Sequence, residues 1–385
     1  MEFDIELLPP LTDIETKPVL KQLSAAHRYL ALLNGRCATI PNENILINTL
    51  TLQEAKESSA IENIITTHDE LYKAQLFETL FNNASAKEVS RYAEVLKEGF
   101  ATVRRNKIIT HKIILEIQQH LEQNDAGYRR LPGTALINDR SGEIVYTPPQ
   151  DYNTVKKLMD NLVEFMNDEE MSDVDPLIKM AVIHHRFETV HPFYDGNGRT
   201  GRIINILYLV KEDLLTLPIL YLSRYIIQYK ADYYKLLQQV RIDKNWEPWI
   251  LYMLKGVEET AKQTLHLIEG VKKLMQEYKN RIRNELPKIY SQDLLNNLFK
   301  HPYTKIEFLE RDLTVKRKTA AKYLNQLTDA GLLDKVKIGK TNFYINQPLY
   351  HFFREGVPKA QVAEPIKTIT DKTVSGRKKS NRVHE

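Results

Sequence analysis

The chain has 385 residues, of which 42% are hydrophobic and 27% are charged, and its 54 basic and 50 acidic residues leave a net charge of +4. These proportions are typical of a globular protein with a sizeable core, and they exclude a wholly disordered chain. The net charge is too small to indicate a nucleic-acid partner by itself. A chain of this length is expected to hold two or three domains.

The single cysteine and the hydropathy pattern bear on the cellular compartment. One thiol, Cys37, cannot build a disulfide framework, so a reducing compartment is favoured. We predict that Cys37 is a buried core residue rather than a nucleophile. The N-terminal sequence MEFDIELLPP lacks the features of a signal peptide, and the longest apolar run, 203–210, is too short to cross a bilayer. We therefore expect a cytoplasmic protein with no membrane partner.

Helical periodicity dominates the first 130 residues and returns later in the chain. In the first part it predicts helices over 16–36, 48–64, 69–80, 87–104 and 110–121, the last with Thr110 as its N-cap. Residues 131–149 differ, because apolar residues bracket the turn NDRSG, and they predict a hairpin with strands Thr134–Ile137 and Glu143–Thr147. Further helices are predicted over 151–168, from Asp175-Pro176 to the segment described below, from about Arg199, and over 230–242 and 246–286.

From residue 291 the pattern changes to three short helices followed by two strand-like runs around Gly339. This is the order of a winged helix-turn-helix. Its candidate recognition helix is 316–327, and the basic residues that could meet DNA phosphates are Lys316, Arg317, Lys318, Lys322, Lys335, Lys337 and Lys340. Such modules also dock proteins, and no row of side chains suited to reading bases is present, so docking or packing is favoured over DNA binding. The polar, basic tail 356–385 is expected to be disordered.

The most informative stretch is HPFYDGNGRTGR, residues 191–202. We predict that 192–198 is a loop between two helices and that Phe193 pins it to the core. Gly196, Asn197 and Gly198 precede a helix N-terminus, where free backbone N–H groups and the helix dipole favour an anion. Arg199 and Arg202 are three apart and so share a helix face, and guanidinium groups suit bidentate contact with phosphate.

Two further residues of this stretch supply reactive groups. Asp195, beside a polyphosphate, offers the carboxylate that Mg²⁺ takes together with phosphate oxygens. His191 is the nearby group that titrates near neutral pH, so it could deprotonate an incoming hydroxyl as a general base. Together the residues indicate transfer from a magnesium-bound polyphosphate to an acceptor hydroxyl.

The stretch resembles the Fic family motif, H-x-F-x-[D/E]-G-N-G-R-x-x-R, at every fixed position. The resemblance implies a protein adenylyltransferase that moves AMP from ATP to a Ser, Thr or Tyr hydroxyl of a protein, which could be the enzyme itself. It assigns His191 as the base, Asp195 as the magnesium ligand, and residues 196–198 with Arg199 to the phosphates. Arg202 is assigned to the γ-phosphate.

The resemblance also implies a mainly α fold: a Fic-type helical core with a small β-hairpin flap, an N-terminal helical region and a C-terminal winged helix-turn-helix. The hairpin at 131–149 is similar to the Fic flap, which binds a target segment by strand addition. The stretch 231–240 resembles the helix that borders the adenine, which nominates Tyr233 and Tyr234. We place the N-terminal region at 1–104, the core at 105–255, a connecting helix at 256–286 and the winged helix at 287–355. Fic relatives often form homodimers.

A second stretch, KESSAIENI at 56–64, matches the family's inhibitory pattern [S/T]-x-x-x-E-[G/N] as Ser58, Glu62 and Asn63. Ser58 and Glu62 are four apart, on one face of the predicted helix 48–64. The resemblance implies that Glu62 pairs with Arg202 and takes the place of the γ-phosphate. In some relatives the same glutamate positions a water that removes AMP, so removal of AMP is a second expected activity.

Several alternatives compete with this interpretation. His184, His185, His191 and Asp195 could form a transition-metal site, although adjacent histidines do not share a helix face and no HExxH pattern is present. The Fic core could have lost its activity, although no fixed position is lost. Relatives that transfer phosphate usually carry a bulkier residue in place of Gly198. The chain could instead be a DNA-binding regulator whose core only senses nucleotide, and the presence of His191 argues against that.

Overall fold

The computed structural model describes residues 5–71, 83–137, 142–338 and 341–355. Within these ranges the chain is mainly helical, with two small antiparallel sheets. The helices are α1 (Lys17–Cys37), α2 (Glu43–Ile61), α3 (Ala84–Asn106), α4 (His111–Glu122), α5 (Tyr152–Asn167), α6 (Pro176–Val190), α7 (Asn197–Lys211), α8 (Ser223–Gln228), α9 (Lys230–Asp243), α10 (Trp246–Glu285), α11 (Gln292–Lys300), α12 (Ile306–Leu313), α13 (Arg317–Asp329) and α14 (Gln347–Glu355). The strands are β1 (Leu136–Ile137), β2 (Ile144–Tyr146), β3 (Tyr303–Thr304), β4 (Asp334–Ile338) and β5 (Thr341–Ile345).

The helices α6 and α7 form the centre of the fold, and the motif loop joins them. Nearly every residue of both helices is buried, so neither helix presents a face to solvent. Helices α3 and α4 pack on α7, α5 and α10 pack on α6, and α1 lies along α10. Both ends of the motif loop are therefore fixed by a continuous core.

Several predicted helix starts are confirmed by their caps. The Thr110 Oγ1 atom accepts from the Ile113 backbone N–H at 3.3 Å, and Asp175 caps α6 with Pro176 as the first helical residue. Cys37 is buried as predicted, and burial raises the pKa of its thiol to about 12. The thiol therefore stays protonated, which makes it a poor nucleophile.

The predicted bounds 48–64 for the inhibitory helix are wrong at both ends. Helix α2 begins five residues earlier, because the Asn42 side chain caps it by accepting from the Asn44 N–H at 3.0 Å. It ends at Ile61, so Glu62 is the residue after the helix rather than part of its face. Helix α2 buries residues on several of its sides, both apolar and polar, which hides the helical period in its first turns.

The predicted hairpin strands are shorter than expected. Strands β1 and β2 pair antiparallel, with Leu136 opposite Tyr146, and a register irregularity follows. The turn at 138–141 lies outside the described residues, as do Gly339, Lys340 and the tail 356–385. Most of the predicted helix 69–80 lies outside them too.

The C-terminal region has the predicted order of three helices, α11 to α13, followed by the strands β4 and β5. A short strand, β3, pairs with the other side of β5 to give the sheet order β3-β5-β4. This region rests against α2, where Gln53 Nε2 donates to the Phe353 carbonyl at 2.6 Å. The assignment of this region as a winged helix stays a prediction.

No helix in the described part of the chain combines the length and the apolar character needed to cross a bilayer.

Candidate active site

The motif loop is closed by hydrogen bonds to the end of α6 and within the loop itself. His191 ends α6 in the left-handed region, with φ of 47°, and its N–H donates to the Phe187 carbonyl at 2.9 Å. The Asn197 side chain both accepts from the Phe193 N–H and donates to the Phe193 carbonyl, each at 2.8 Å. Phe193 is fully buried, as predicted. The loop is thus a fixed turn rather than a flexible connection.

Helix α7 begins at Asn197, two residues before the predicted start. Gly196 precedes it with φ of 77°, a conformation that glycine adopts at little cost, and it provides no side-chain cap. The first backbone N–H groups of α7 are therefore available to an anion. Gly198 belongs to the helix rather than to the loop, and a Cβ atom there would collide with the Glu62 carboxylate.

Arg129, which no motif in the sequence indicated, fixes the backbone of His191. Its Nε donates to the His191 carbonyl at 2.8 Å and its Nη2 to the Val190 carbonyl at 3.3 Å. The same guanidinium donates to the Pro149 carbonyl, at the end of the hairpin segment. With 1% of its surface exposed, Arg129 is a buried cation that caps the C-terminal end of α6.

The environment of His191 favours its neutral form. Desolvation by burial lowers the pKa of its imidazole to about 4, and the nearby Arg241 and Arg129 cations add to this effect. At neutral pH the imidazole therefore carries a lone pair that can accept a proton. This is the protonation state that a general base requires.

Glu62 bridges the two motif arginines. Its Oε1 lies 2.6 Å from Arg202 Nη2, and its Oε2 lies 2.8 Å from Arg199 Nε. Ser58 completes the set, since its Oγ accepts from Arg202 Nε at 2.7 Å and its carbonyl accepts from Nη2 at 3.1 Å. Burial disfavours the Arg202 cation, but Glu62 and further nearby acidic groups, Glu188 among them, together outweigh this effect and raise the pKa of Arg202. The contact to Arg199 goes beyond the pairing implied by the motif.

Arg199 is surrounded by three carboxylates. Besides Glu62, it pairs with Glu88 of α3, and its Nη2 lies 2.8 Å from Oε1 of Glu122, at the end of α4. Burial raises the pKa of Glu122, while the Arg199 cation lowers it and neighbouring carboxylates raise it further. No sequence signal pointed to Glu88 or Glu122, because glutamates on helices are usually solvated.

The turn that carries Glu62 has a well-known helix-end geometry. Asn63 lies in the left-handed region with φ of 64°. Its N–H donates to the Ala60 carbonyl at 3.1 Å, and the Ile64 N–H donates to the Ser59 carbonyl at 3.1 Å, which together form a Schellman motif. Asparagine and glycine are the residues that favour this backbone position, which gives the E-[G/N] pair a structural reason.

Asp195 is exposed at the loop surface, where its Oδ1 accepts from the Gly196 N–H at 2.7 Å. The described residues hold no cluster of three or more His, Cys, Asp or Glu side chains suited to a metal. Asp195 instead offers a single carboxylate beside the N-terminal end of α7, an arrangement that fits an ion brought in with phosphates.

The remaining candidate site residues, two tyrosines and two histidines, differ in how far they are buried. Tyr233 is 2% exposed, and its hydroxyl lies 2.9 Å from His184 Nε2, so it belongs to the core. Tyr234 is 48% exposed and packs edge-on against Tyr233. His185 Nε2 is 3.2 Å from the Leu237 carbonyl. His184 and His185, two of the three histidines in the transition-metal alternative, thus have partners in the core, and burial lowers the pKa of each.

Three family models match consecutive parts of the chain. "Fic/DOC family N-terminal" matches residues 20–101, "Fic/DOC family" matches 108–209, and "Protein adenylyltransferase SoFic-like, C-terminal domain" matches 274–349. The chain belongs to the Fic/DOC family.

Relatives of this Fic chain include protein adenylyltransferase fic-1 of Caenorhabditis elegans, 28% identical over 120 residues, which are 31% of this chain and 22% of the relative. A probable protein adenylyltransferase of Aquifex aeolicus, aq_aa38, is 28% identical over 188 residues, which are 47% of this chain and 54% of the relative. The matches thus span less than two thirds of the length of these curated relatives.

Solved structures share the fold. A Fic family protein from Desulfovibrio desulfuricans matches 88% of this chain and 98% of its own length, with a TM-score of 0.55 and 18% identity. Residues 134–508 of Fic-1 from C. elegans match with a TM-score of 0.52 and 21% identity, covering 65% of this chain and 73% of the other. At these identities the likeness concerns the fold alone.

Proposed function

We propose that this Fic-family chain is a self-inhibited protein adenylyltransferase that transfers AMP from ATP to a hydroxyl of a protein side chain. The observation that carries the proposal is the Glu62 carboxylate bridging Arg199 and Arg202, beside a complete motif with a neutral His191. The relatives named protein adenylyltransferase support the same chemistry.

In the proposed reaction, His191 takes the proton of the target hydroxyl as the oxygen attacks the α-phosphorus of ATP. The bond from that phosphorus to the bridging oxygen breaks, and pyrophosphate leaves. The N-terminal N–H groups of α7 stabilise the negative charge that develops on the phosphates. Arg129 keeps His191 in place by donating a hydrogen bond to the backbone carbonyl of His191.

Asp195 is the residue that would hold Mg²⁺. Its exposed carboxylate stands next to the anion-binding end of α7, so it can share the ion with phosphate oxygens. When bound, the ion would neutralise part of the triphosphate charge.

Glu62 inhibits by competition for the two arginines. A carboxylate and a phosphate make the same bidentate contact with guanidinium, so both cannot occupy one site. With Glu62 in place, the γ-phosphate has no partner and ATP binds in an unproductive pose. Release of Glu62 restores both cations to the nucleotide.

The target side of the site is the hairpin of β1 and β2. Ile137 and Ile144 expose more than half of their surfaces there, in keeping with strand addition by a target segment. We expect the target to be another protein or a second copy of this chain in a homodimer.

The single cysteine is buried, which suits a protein of the reducing cytoplasm. Tyr234, rather than the buried Tyr233, is the proposed contact for the adenine. A DNA-binding role receives no support from the matched families or relatives.

Intact-mass measurement after incubation with ATP and Mg²⁺ tests the proposal. The forms compared are wild type, Glu62→Gly, and Glu62→Gly combined with His191→Ala. We expect only Glu62→Gly to gain the mass of an adenylate, which establishes the donor, the base and the inhibition together. If no form is labelled with ATP or with other nucleoside triphosphates, self-modification by this site is rejected. Labelling of the His191→Ala form would instead reject the assigned base.

A further inference from the structure

The end of α2 depends on a residue from a distant helix. Within the last turn, the Ser59 and Ala60 carbonyls accept from backbone N–H groups of the turn itself, and the Ser58 carbonyl accepts from Arg202. The Ile61 carbonyl accepts from Lys230 Nζ at 2.6 Å. The ammonium group of Lys230 thus completes the hydrogen bonding of the residue next to Glu62.

The charge of Lys230 is unfavourable in its own helix and favourable for α2. Lys230 is the first residue of α9, the positive end of the helix dipole, where a cation is disfavoured. Helix α2 has no basic residue in its own last turn. Lys230 places a cation at the negative end of α2, where it stabilises the exposed carbonyls.

We infer that Lys230 is a positioning residue that holds the inhibitory turn, residues 61–64, against Arg199 and Arg202. The inference rests on the proposed function, because it gives the self-inhibition a second anchor outside the motif. Glu62 makes its ion pairs through a side chain, which can exchange a carboxylate contact for solvent. Lys230 restrains the backbone of the same turn, so that the carboxylate returns to the arginines.

Hydrogen exchange of the full-length protein without nucleotide tests the inference independently of activity. The forms are wild type, Lys230→Met, Lys230→Arg and Lys235→Met, the last a matched control on the exposed face of α9. We expect exchange at the Asn63 and Ile64 N–H groups to be about tenfold faster in Lys230→Met, because a hydrogen bond to a charged group is lost. Lys230→Arg and Lys235→Met should resemble wild type.

Unchanged protection of the turn in Lys230→Met would overturn the inference. An equal rise across α10 would also overturn it, because that result indicates a general loss of stability. If Lys230→Met does not fold, Lys230→Ala is measured against the same criteria.

Self-labelling with ATP separates this inference from the proposed function. Lys230→Met should label about tenfold faster than wild type, and it should add nothing to Glu62→Gly, because both changes release the same contact. If Glu62→Gly labels and Lys230→Met matches wild type, the inference fails and the proposed function stands. If Glu62→Gly itself is not labelled, the proposed function fails and hydrogen exchange alone decides the role of Lys230.

Discussion

The motif loop and the inhibitory turn both lie next to Arg199 and Arg202, but different kinds of contact hold each of them in place. In the loop, the side chains of Asn197 and Arg129 bind backbone groups within a buried turn. In the inhibitory turn, Glu62 binds the side chains of Arg199 and Arg202. A ligand cannot easily replace the first kind of contact, whereas a phosphate can replace the second. In the proposed function, the motif loop is the part that keeps its geometry and the inhibitory turn is the part that ATP displaces.

Removing His191, the proposed base in the motif loop, should have the largest effect. In the Glu62→Gly background, His191→Ala should lower the self-labelling rate about 100-fold or more, because general base catalysis is lost. The exposed His120→Ala is the matched control and should label like its parent. Intact-mass time courses give both rates. Near-parent labelling by His191→Ala would mean that the loop only binds nucleotide.

Replacing Glu62 in the inhibitory turn should have the next largest effect. Glu62→Gly should raise the self-labelling rate about tenfold or more over wild type, because two charged hydrogen bonds no longer hold the arginines. Glu62→Gln keeps the shape without the charge and should fall between the two. A rate no faster than wild type in both variants would contradict inhibition by Glu62.

Arg202→Ala tests whether Glu62 and the nucleotide share one site, because it removes a guanidinium group that both are proposed to bind. It loses the contact with Glu62 and the contact with the γ-phosphate together, and Glu62 keeps its ion pair with Arg199. We therefore expect labelling at or below the wild-type rate, measured in parallel with Glu62→Gly. Strong activation would show that the inhibitor and the phosphate do not share this site.

Loss of Arg129 should loosen the loop without touching the reacting groups. Arg129→Gln should lower the free energy of unfolding in urea by about 3 kcal/mol, because buried carbonyls lose their charged partner. It should also slow labelling in the Glu62→Gly background. The neighbouring Arg130→Gln, at an exposed position, is the control and should change neither quantity appreciably.

The pH dependence should show the smallest effect over the physiological range. Because burial lowers the pKa of His191 to about 4, labelling by Glu62→Gly should stay nearly constant from pH 8 to about 5 and fall only near pH 4. The depressed pKa also has a stability consequence: as the pH falls from 6.5 to about 4, the unfolded chain binds a proton that the folded chain does not, so stability decreases. A rate that halves near pH 6.5 would mean that His191 is solvated in the working enzyme.

The sequence by itself determined the motif, the mainly helical fold and the helix starts at Thr110 and Asp175. These features depend on neighbouring residues, since caps, periodicity and loop chemistry act over a few positions. The pattern at 56–64 pointed to Ser58 and Glu62 for the same reason. It could not fix the end of α2, because a residue four positions on continues the helical period whether or not the helix does.

Only the tertiary structure decided which distant groups meet at these residues. Glu88 and Glu122 surround Arg199, Arg129 holds the carbonyl of His191, and Lys230 caps the end of α2. Single charged residues, whether on helices or in loops, carry no local sign of such roles, because most of them are solvated. Burial likewise placed Tyr233 in the core and left Tyr234 exposed, although the two are adjacent in the sequence. The tertiary packing of distant segments set these contacts, and no local pattern encodes that packing.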